Sequence, residues 1–154
     1  MSDFNFEGEF ECVDFLSESA EQTRLFASKF AKSLPSDSFI ALSGDLGAGK
    51  TTFVKGLAEG LGITTTVKSP SFNVMLVYDR ADGFNLVHID AYRLGSSDDF
   101  ENLMIDEIAP EPRCICVEWW SNIADCVPPD AYEVSLSIDP DTHHHHIKIK
   151  RGIA

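Results

Sequence analysis

The sequence predicts that residues 1–154 form a single α/β domain with three layers, in which a mixed, mostly parallel sheet is flanked by helices. Three observations support this prediction. Residues 39–61 give a short apolar segment, a glycine-rich turn and a helical pattern in succession. Residues 114–117 form a continuous apolar run, typical of a parallel strand buried on both faces. Residues 132–138 and 145–150 alternate in polarity, which predicts a closing antiparallel pair.

The first part of the chain holds a predicted strand and a predicted helix ahead of the glycine-rich turn. Residues 9–14 predict the strand. Ser19 and Gln22 have the spacing of a capping box, so a helix is expected to begin at about Ser17 or Ser19 and to run to Leu34. Its apolar residues recur at helical spacing, which predicts one buried face.

The middle of the chain predicts a hairpin followed by helical segments. Residues 73–78 and 85–90 have strand character on either side of a turn at 80–83, so they are expected to pair with each other. Residues 97–108 are expected to be helical. Residues 121–126 predict one helical turn or two.

The bulk composition excludes several classes of function. The formal net charge is −13, whereas nucleic-acid-binding surfaces are usually basic, so direct binding of RNA or DNA is not expected. No segment approaches the roughly 18 consecutive apolar residues of a membrane span, and the first residues do not resemble a signal peptide. The four cysteines contain no C-x-x-C pair and are expected to be reduced. The sequence therefore predicts a cytoplasmic protein without membrane contact.

Residues 44–51 read Gly-Asp-Leu-Gly-Ala-Gly-Lys-Thr and fit G-x-x-x-x-G-K-[ST] at every fixed position. This pattern is the P-loop, or Walker A motif. Its glycines let consecutive backbone N–H groups curl around a phosphate, and the helix that follows points its partly positive N-terminus at the same anion. We therefore expect Lys50 to reach the β- and γ-phosphates and the Thr51 hydroxyl to hold Mg²⁺.

A P-loop alone binds nucleotide, and hydrolysis or transfer needs a further acid for Mg²⁺ and for the attacking group. Two predicted strands end in such an acid, Glu118 after the run 115–117 and Asp90 after the run 86–89. Ligands of α/β sheets gather at the carboxyl ends of strands, so both acids could face the phosphates. The pattern leaves open whether each is functional or simply a solvated carboxylate at a strand end.

Two further segments have a functional and an ordinary interpretation. Residues 68–72, Lys-Ser-Pro-Ser-Phe, could sense the γ-phosphate as a switch loop does, but the pattern favours an ordinary loop that leads into a strand. The run from His143 to His146 could bind a metal. Only alternate histidines of a strand share a face, so a polar strand edge is the favoured interpretation.

Taken in order, these motifs resemble one known family. The P-loop at 44–52 is followed by Ser-Pro-Ser-Phe at 69–72, His-Ile-Asp-Ala-Tyr-Arg-Leu at 88–94 and Glu-Trp at 118–119. This ordered set resembles the TsaE (YjeE) family, bacterial P-loop ATPases of threonylcarbamoyladenosine biosynthesis on tRNA, over roughly residues 14–151. The chain departs from the family pattern at Trp120, where a smaller residue or proline is more usual, and at Met104, where glycine is frequent.

The resemblance implies a set of roles. Lys50, Asp90 and Glu118 would be catalytic, with Asp90 ordering the attacking water or the metal shell. Thr51 and Glu118 would hold Mg²⁺. Trp119 would either stack on the base or shape a partner surface. The residues that the resemblance assigns to nucleotide binding are Asp45, Leu46, Gly47, Ala48, Gly49, Lys50, Thr51, Thr52, Ser71 and Trp119.

The resemblance also implies partners. The family acts with TsaD, which transfers the threonylcarbamoyl group, and with TsaB, which pairs with TsaD. An acidic protein that drives this pair with ATP would reach tRNA only indirectly, in agreement with the charge of the chain.

Two alternative functions remain open in the sequence. A small-molecule P-loop kinase usually carries several arginines in a lid over the phosphates, whereas the arginines here are scattered singly. A nucleotide-gated binding module without significant turnover would share every ligand with an ATPase. A GTPase is disfavoured because no Asn-Lys-x-Asp guanine motif is present. The scarcity of arginine also predicts that an ATPase of this kind is slow alone and is stimulated by its partners.

Overall fold

A computed structural model describes residues 11–45, 47–70 and 72–152. The strands are β1 (Cys12–Ser17), β2 (Ser38–Gly44), β3 (Met75–Asp79), β4 (Asn85–Asp90), β5 (Arg113–Glu118), β6 (Tyr132–Ile138) and β7 (His145–Arg151). The helices are α1 (Ala20–Ser33), α2 (Lys50–Gly60), α3 (Ser97–Glu101) and α4 (Ile105–Ile108), with 3₁₀ helices at Ala91–Arg93 and Trp120–Cys126. None of the helices in these ranges is long and apolar enough to cross a membrane.

The strands form one mixed sheet in the order β1-β7-β6-β2-β5-β4-β3. The four central strands, β6, β2, β5 and β4, are parallel, and the outer pairs β3–β4, β6–β7 and β1–β7 are antiparallel. The predicted mixed, mostly parallel sheet is therefore confirmed, as are the hairpin and the closing antiparallel pair.

Two apolar cores lie on opposite faces of the sheet, which gives the three predicted layers. On one face the sheet packs against α1 and α2, with Phe26, Phe30, Phe53 and Leu57 completely buried or nearly so. On the other face it packs against the short helices, and Ile105 and Ile123 are buried there. The larger core lies under α1 and α2, and these helices flank the strand that leads into the P-loop.

The predicted capping of α1 is confirmed. The Ser19 hydroxyl accepts a hydrogen bond from Gln22 N, and the Gln22 side chain accepts one from Glu18 N at 2.9 Å. The strand expected at 9–14 instead occupies 12–17, and the part of that prediction before residue 11 lies outside the described residues. The strand continues further than predicted because Phe15 stacks on Phe26 with ring centroids 4.4 Å apart, a contact between distant residues.

The helical character predicted for residues 97–108 is confirmed at both ends of this range, but the helix is interrupted between them. The chain forms α3 and α4, with Met104 between them in the left-handed conformation at φ 56°. Leu103 and Ile105 both pack against the second core. Two residues apart on one α-helix they would point about 200° apart, so a continuous helix could not bury both. A break at Met104 lets both side chains face the sheet.

Helices α1 and α2 pack so closely that two positions have no room for a side chain. A Cβ on Gly56 would lie 2.3 Å from the carbonyl oxygen of Arg24, and a Cβ on Gly60 would lie 2.3 Å from that of Ser28. The two glycines are one helical turn apart and share a face of α2. The backbones of the two helices therefore touch along this face.

We expect Gly56→Ala to lower the free energy of unfolding, although alanine is intrinsically the better helix former. The added methyl would meet backbone atoms of α1, which cannot rotate away, and overpacking of this kind costs about 1–3 kcal/mol. Urea denaturation measures the change. Lys55→Ala, at an exposed neighbouring position of α2, is the control and should leave the stability nearly unchanged. A Gly56→Ala protein as stable as the wild type would contradict the packing described.

Candidate functional site

The P-loop connects β2 to α2 in a tight bend. Gly47 and Gly49 have φ values of 83° and 100°, a conformation that side-chain-bearing residues rarely adopt. Ala48 between them is buried, and its N–H donates to the carbonyl of Asp45 at 2.9 Å. Of the predicted loop residues, Leu46 lies outside the described part of the chain.

The N-terminus of α2 differs from those of the other α-helices in the described ranges. Gly49 caps α2 without a side chain, and no acid stands in the first turn. In contrast, Ser19 caps α1, Ser96 caps α3, and the first turn of α4 carries two acids. The first N–H groups of a helix have no partner within it and carry partial positive charge. The start of α2 is therefore open to an external anion.

Asp90 and Glu118 lie side by side at the carboxyl edge of the sheet. They end the neighbouring parallel strands β4 and β5 and are directly opposite each other in register. Glu118 also pairs in register with Leu42 of β2, the strand that leads into the P-loop. Because parallel strands end at the same edge, the two predicted acids and the loop come together there.

Glu118 is a buried carboxylate held between two nitrogen groups. Its Oε2 lies 2.8 Å from Nε2 of His88, and its Oε1 lies 3.6 Å from Nζ of Lys50. Burial opposes ionisation, but the hydrogen bond and charge of His88, together with Lys50, outweigh burial and lower the pKa of Glu118 below its ordinary value. The carboxylate is therefore ionised at neutral pH.

His88 joins the site through its contact with Glu118, although the sequence motifs predicted no role for it. It is fully buried, and its Nε2 must carry the proton, because an ionised Glu118 can only accept. A signal for it was present in the sequence. His88 precedes Asp90 by two residues on a predicted strand, a spacing that places both side chains on the same face. The hydrogen bond to β5 could not be read from that spacing.

Asp90 is held in place by the turn that follows it. Its Oδ1 accepts a hydrogen bond of 3.0 Å from Tyr92 N and so caps the 3₁₀ helix Ala91–Arg93. Asn122 donates to the carbonyl of Ala91 at 2.9 Å and ties this helix to the segment after β5. The end of β4 is thus fixed where it faces the P-loop.

Trp119 leaves β5 in the left-handed conformation, with φ 57°, and 49% of its surface is exposed. Its ring centroid lies 5.8 Å from Nζ of Lys50, within the range of a cation–π contact. It also meets the ring of Tyr92 edge to face at 5.1 Å. Trp120, in contrast, is partly buried against the second core. The two adjacent indoles therefore face different surroundings.

A cleft of about 410 Å³ brings most of the predicted site residues together. It is lined by Gly47, Gly49, Lys50, Thr51, Thr52, Ser69, Asp90, Glu118 and Trp119. A second cleft of about 330 Å³ shares Lys50 and Trp119 with the first and also contains Asp45. Of the other predicted positions, Ala48 is buried in the bend, and Leu46 and Ser71 lie outside the described residues.

Oxygen ligands suited to Mg²⁺ occur in the main cleft. The Thr51 hydroxyl and the ionised Glu118 carboxylate both line it, and hard cations of this size bind through oxygen. In the described ranges, no group of three or more His, Cys, Asp or Glu side chains could hold a metal. A magnesium ion bound here would take its remaining ligands from phosphate and water, as is usual for Mg²⁺ at nucleotides.

The histidine run is not at a strand edge, and the interpretation as a polar edge is wrong. Strand β7 lies between β1 and β6, because it pairs with both. His146 contacts Asp14 of β1 with an Nε2–Oδ1 distance of 3.0 Å. His145 points to the other side of the strand and reaches the P-loop, where its Nδ1 lies 2.7 Å from the carbonyl oxygen of Ala48.

Comparison with known proteins finds a family model and sequence relatives that agree with one another. Residues 17–148 match the family model described as threonylcarbamoyl adenosine biosynthesis protein TsaE. The protein named tRNA threonylcarbamoyladenosine biosynthesis protein TsaE from Treponema pallidum is 36% identical over 126 residues, 82% of this chain and 92% of the relative. The protein of that name from Bacillus subtilis is 40% identical over 117 residues, 75% and 72% of the two chains.

A solved structure agrees with these sequence relatives. The crystal structure of YdiB from Bacillus subtilis superimposes with a TM-score of 0.75 and 28% identity, over 96% of this chain and 90% of that one. The family model and the first two relatives each cover most of the chain, and the fold and the ordered motifs agree with them. The chain therefore belongs to the TsaE family of threonylcarbamoyl adenosine biosynthesis proteins.

Proposed function

We propose that this protein is a Mg²⁺-dependent ATPase that acts with TsaD and TsaB in the modification of tRNA to threonylcarbamoyladenosine. One observation carries the proposal. The open N-terminus of α2, the amine of Lys50 and two strand-end carboxylates converge on a single cleft. Triphosphate binding and hydrolysis need this combination of cationic donors and acids.

In the proposed mechanism the phosphates lie against the start of α2. Backbone N–H groups at Thr51 and Thr52 donate to phosphate oxygens, and Lys50 pairs with the β- and γ-phosphates. Lys50 is already directed into the cleft by Glu118 and Trp119. Thr51 and Glu118 would hold Mg²⁺, which when bound neutralises charge that builds up on the phosphates. The lowered pKa of Glu118 keeps it in the form that a metal requires.

Asp90 is the proposed residue that orients the attacking water. Its cap to Tyr92 N fixes the carboxylate at the strand end, beside Glu118 and facing the cleft. Glu118 is occupied by His88 and Lys50, so Asp90 is the better placed of the two acids to contact a water. Positioned water and charge stabilisation are the main sources of rate in phosphoryl transfer.

The lack of an arginine in the cleft supports the proposal that partners stimulate the reaction. In the described part of the chain no arginine lines either of the two clefts that contain Lys50. An arginine that stabilises the transition state is worth several orders of magnitude in rate, so turnover should be slow until a partner acts on the site. The same observation disfavours a small-molecule kinase, whose lid would bring several arginines. With a net charge of −13, the chain would reach tRNA only through its partners.

We also propose that residues 1–154 act as one domain in the cytoplasm. The cysteines are free, and Cys114 and Cys116 are buried in the larger core. Burial raises the pKa of the Cys114 thiol to about 12, which suits a packing residue rather than a reactive thiol. This cysteine usage fits a reducing compartment.

We expect Lys50→Ala to weaken ATP binding about 100-fold or more, because it removes the cation that pairs with the terminal phosphates. Titration calorimetry with Mg²⁺ and ATP measures the change. Lys32→Ala, at an exposed position of α1, also removes one positive charge and should bind ATP like the wild type. Equal affinity of the Lys50→Ala and Lys32→Ala proteins would rule out the proposed phosphate contact.

Asp90→Asn should lower phosphate release by about two orders of magnitude while leaving the ATP affinity within about threefold of the wild type. Asparagine still caps the turn at Tyr92 N, so the substitution removes the charge and keeps the local fold. Phosphate release and nucleotide titration are measured on the same samples. Asp125→Asn changes an exposed carboxylate and serves as the control. Unimpaired hydrolysis by the Asp90→Asn protein would remove Asp90 from the mechanism.

Phosphate release should rise at least about tenfold when TsaB and TsaD are added, because the missing transition-state charge must come from outside the chain. The assay is run with ATP for the protein alone, with the pair, and with a panel of small phosphoryl acceptors. Transfer to an acceptor would identify a kinase. Binding of ATP and the pair without faster release would identify a nucleotide-gated module, and fast release by the protein alone would contradict the arginine argument.

A further inference from the structure

We propose that His145 is a positioning residue for the phosphate-binding loop. It holds the peptide that joins Ala48 to Gly49 so that the Gly49 N–H is directed toward the phosphates. The inference rests on the proposed nucleotide-binding function. It gives one histidine of the run at 143–146 a role that neither the P-loop motif nor the metal interpretation supplied.

The contact is a well-formed hydrogen bond between distant parts of the chain. Nδ1 of His145 lies 2.7 Å from the carbonyl oxygen of Ala48, and Ala48 is buried. A carbonyl oxygen can only accept, so Nδ1 carries the proton whether the ring is neutral or charged. The ring lies close against the loop, because a Cβ built on Gly49 would be 3.2 Å from Nδ1.

The geometry of the peptide unit links this contact to the cleft. The carbonyl of Ala48 and the N–H of Gly49 belong to one planar trans peptide, so they point in opposite directions. With the carbonyl held by His145, the N–H is directed away from β7. Gly49 lines the main cleft, so its N–H is available to a ligand there. A hydrogen bond to the carbonyl also polarises the peptide and strengthens its N–H as a donor.

The register of β7 explains why this histidine of the run reaches the loop. His145, Ile147 and Ile149 alternate onto the face that packs against α1 and α2, where both isoleucines are fully buried. The P-loop and α2 lie on that face. His146 points to the opposite face and contacts Asp14. A histidine one position along the strand would therefore miss the loop.

The glycines of the loop leave its backbone free to rotate, so a further contact is needed to fix the peptide after Ala48. Gly47 and Gly49 flank Ala48 and give the bend its left-handed turns, and glycine leaves the backbone more conformational freedom than any other residue. Ala48 N–H is held by Asp45, but that bond does not fix the next peptide. The His145 bond fixes the orientation of that peptide before a ligand arrives, which reduces the ordering cost of binding.

The test compares His145→Leu with His145→Asn. The side-chain nitrogen of asparagine occupies nearly the position of Nδ1, so it can donate to the same carbonyl, whereas leucine cannot. We expect Mg²⁺-ATP and Mg²⁺-ADP to bind about five- to tenfold more weakly to the leucine variant, because one orienting hydrogen bond is lost. The asparagine variant should bind both nucleotides with an affinity within about twofold of the wild type. Titration calorimetry measures both affinities.

His146→Leu is the matched control, because it removes the neighbouring imidazole on the other face of the same strand. It should bind both nucleotides like the wild type. A second readout is the amide resonance of Gly49 in the nucleotide-free protein, which should shift in His145→Leu and return toward the wild-type position in His145→Asn. A role in strand stability alone would not produce this pattern of rescue at one amide.

The outcomes separate the two proposals. Wild-type uptake of nucleotide, with equal uptake by the leucine variant, overturns the role of His145 and leaves the proposed function standing. Equal weakening in the leucine and asparagine variants also overturns it, because the donated hydrogen bond would then not be the cause. Absence of uptake by the wild type overturns the proposed function and the His145 role with it.

Discussion

The buried carboxylate of Glu118 is the interaction on which the geometry of the site depends. An ionised carboxylate removed from water is costly unless charged or hydrogen-bonding groups compensate it, and here His88 and Lys50 do so. These contacts connect three elements: β4 through His88, β5 through Glu118 and the first residue of α2 through Lys50. The carboxyl edge of the sheet and the P-loop are thereby held in a fixed relation, although they are far apart in sequence.

Much of this arrangement could be predicted because it follows from local pattern and from sheet topology. The glycine positions of the P-loop, the apolar strand ahead of it and the helical period behind it are all local signals. The meeting of Asp90 and Glu118 required only that both end parallel strands, since such strands end at one edge. Family membership followed from the order of the motifs and is confirmed by the matching relatives.

Other features depend on contacts between distant residues and could not be read from local pattern. The break at Met104 arises because Leu103 and Ile105 must both reach a core built from other strands. The contact of His145 with Ala48 depends on the register of β7 against two neighbours. Asp45 lies in the second cleft rather than in the main cleft, which the motif did not indicate. The roles proposed for individual site residues remain predictions.

The left-handed backbone at Trp119 has a practical consequence. It carries the indole out of the sheet and over the ammonium group of Lys50, beside the ring of Tyr92. Indole emission shifts with the electric field and the solvent around the ring, and the proposed binding of a polyanion to Lys50 would alter both. Trp120 is partly buried against the second core and also lines the second cleft together with Lys50. The protein thus carries an intrinsic fluorophore beside Lys50 in its cleft, so binding of the proposed nucleotide would be detectable optically without a label.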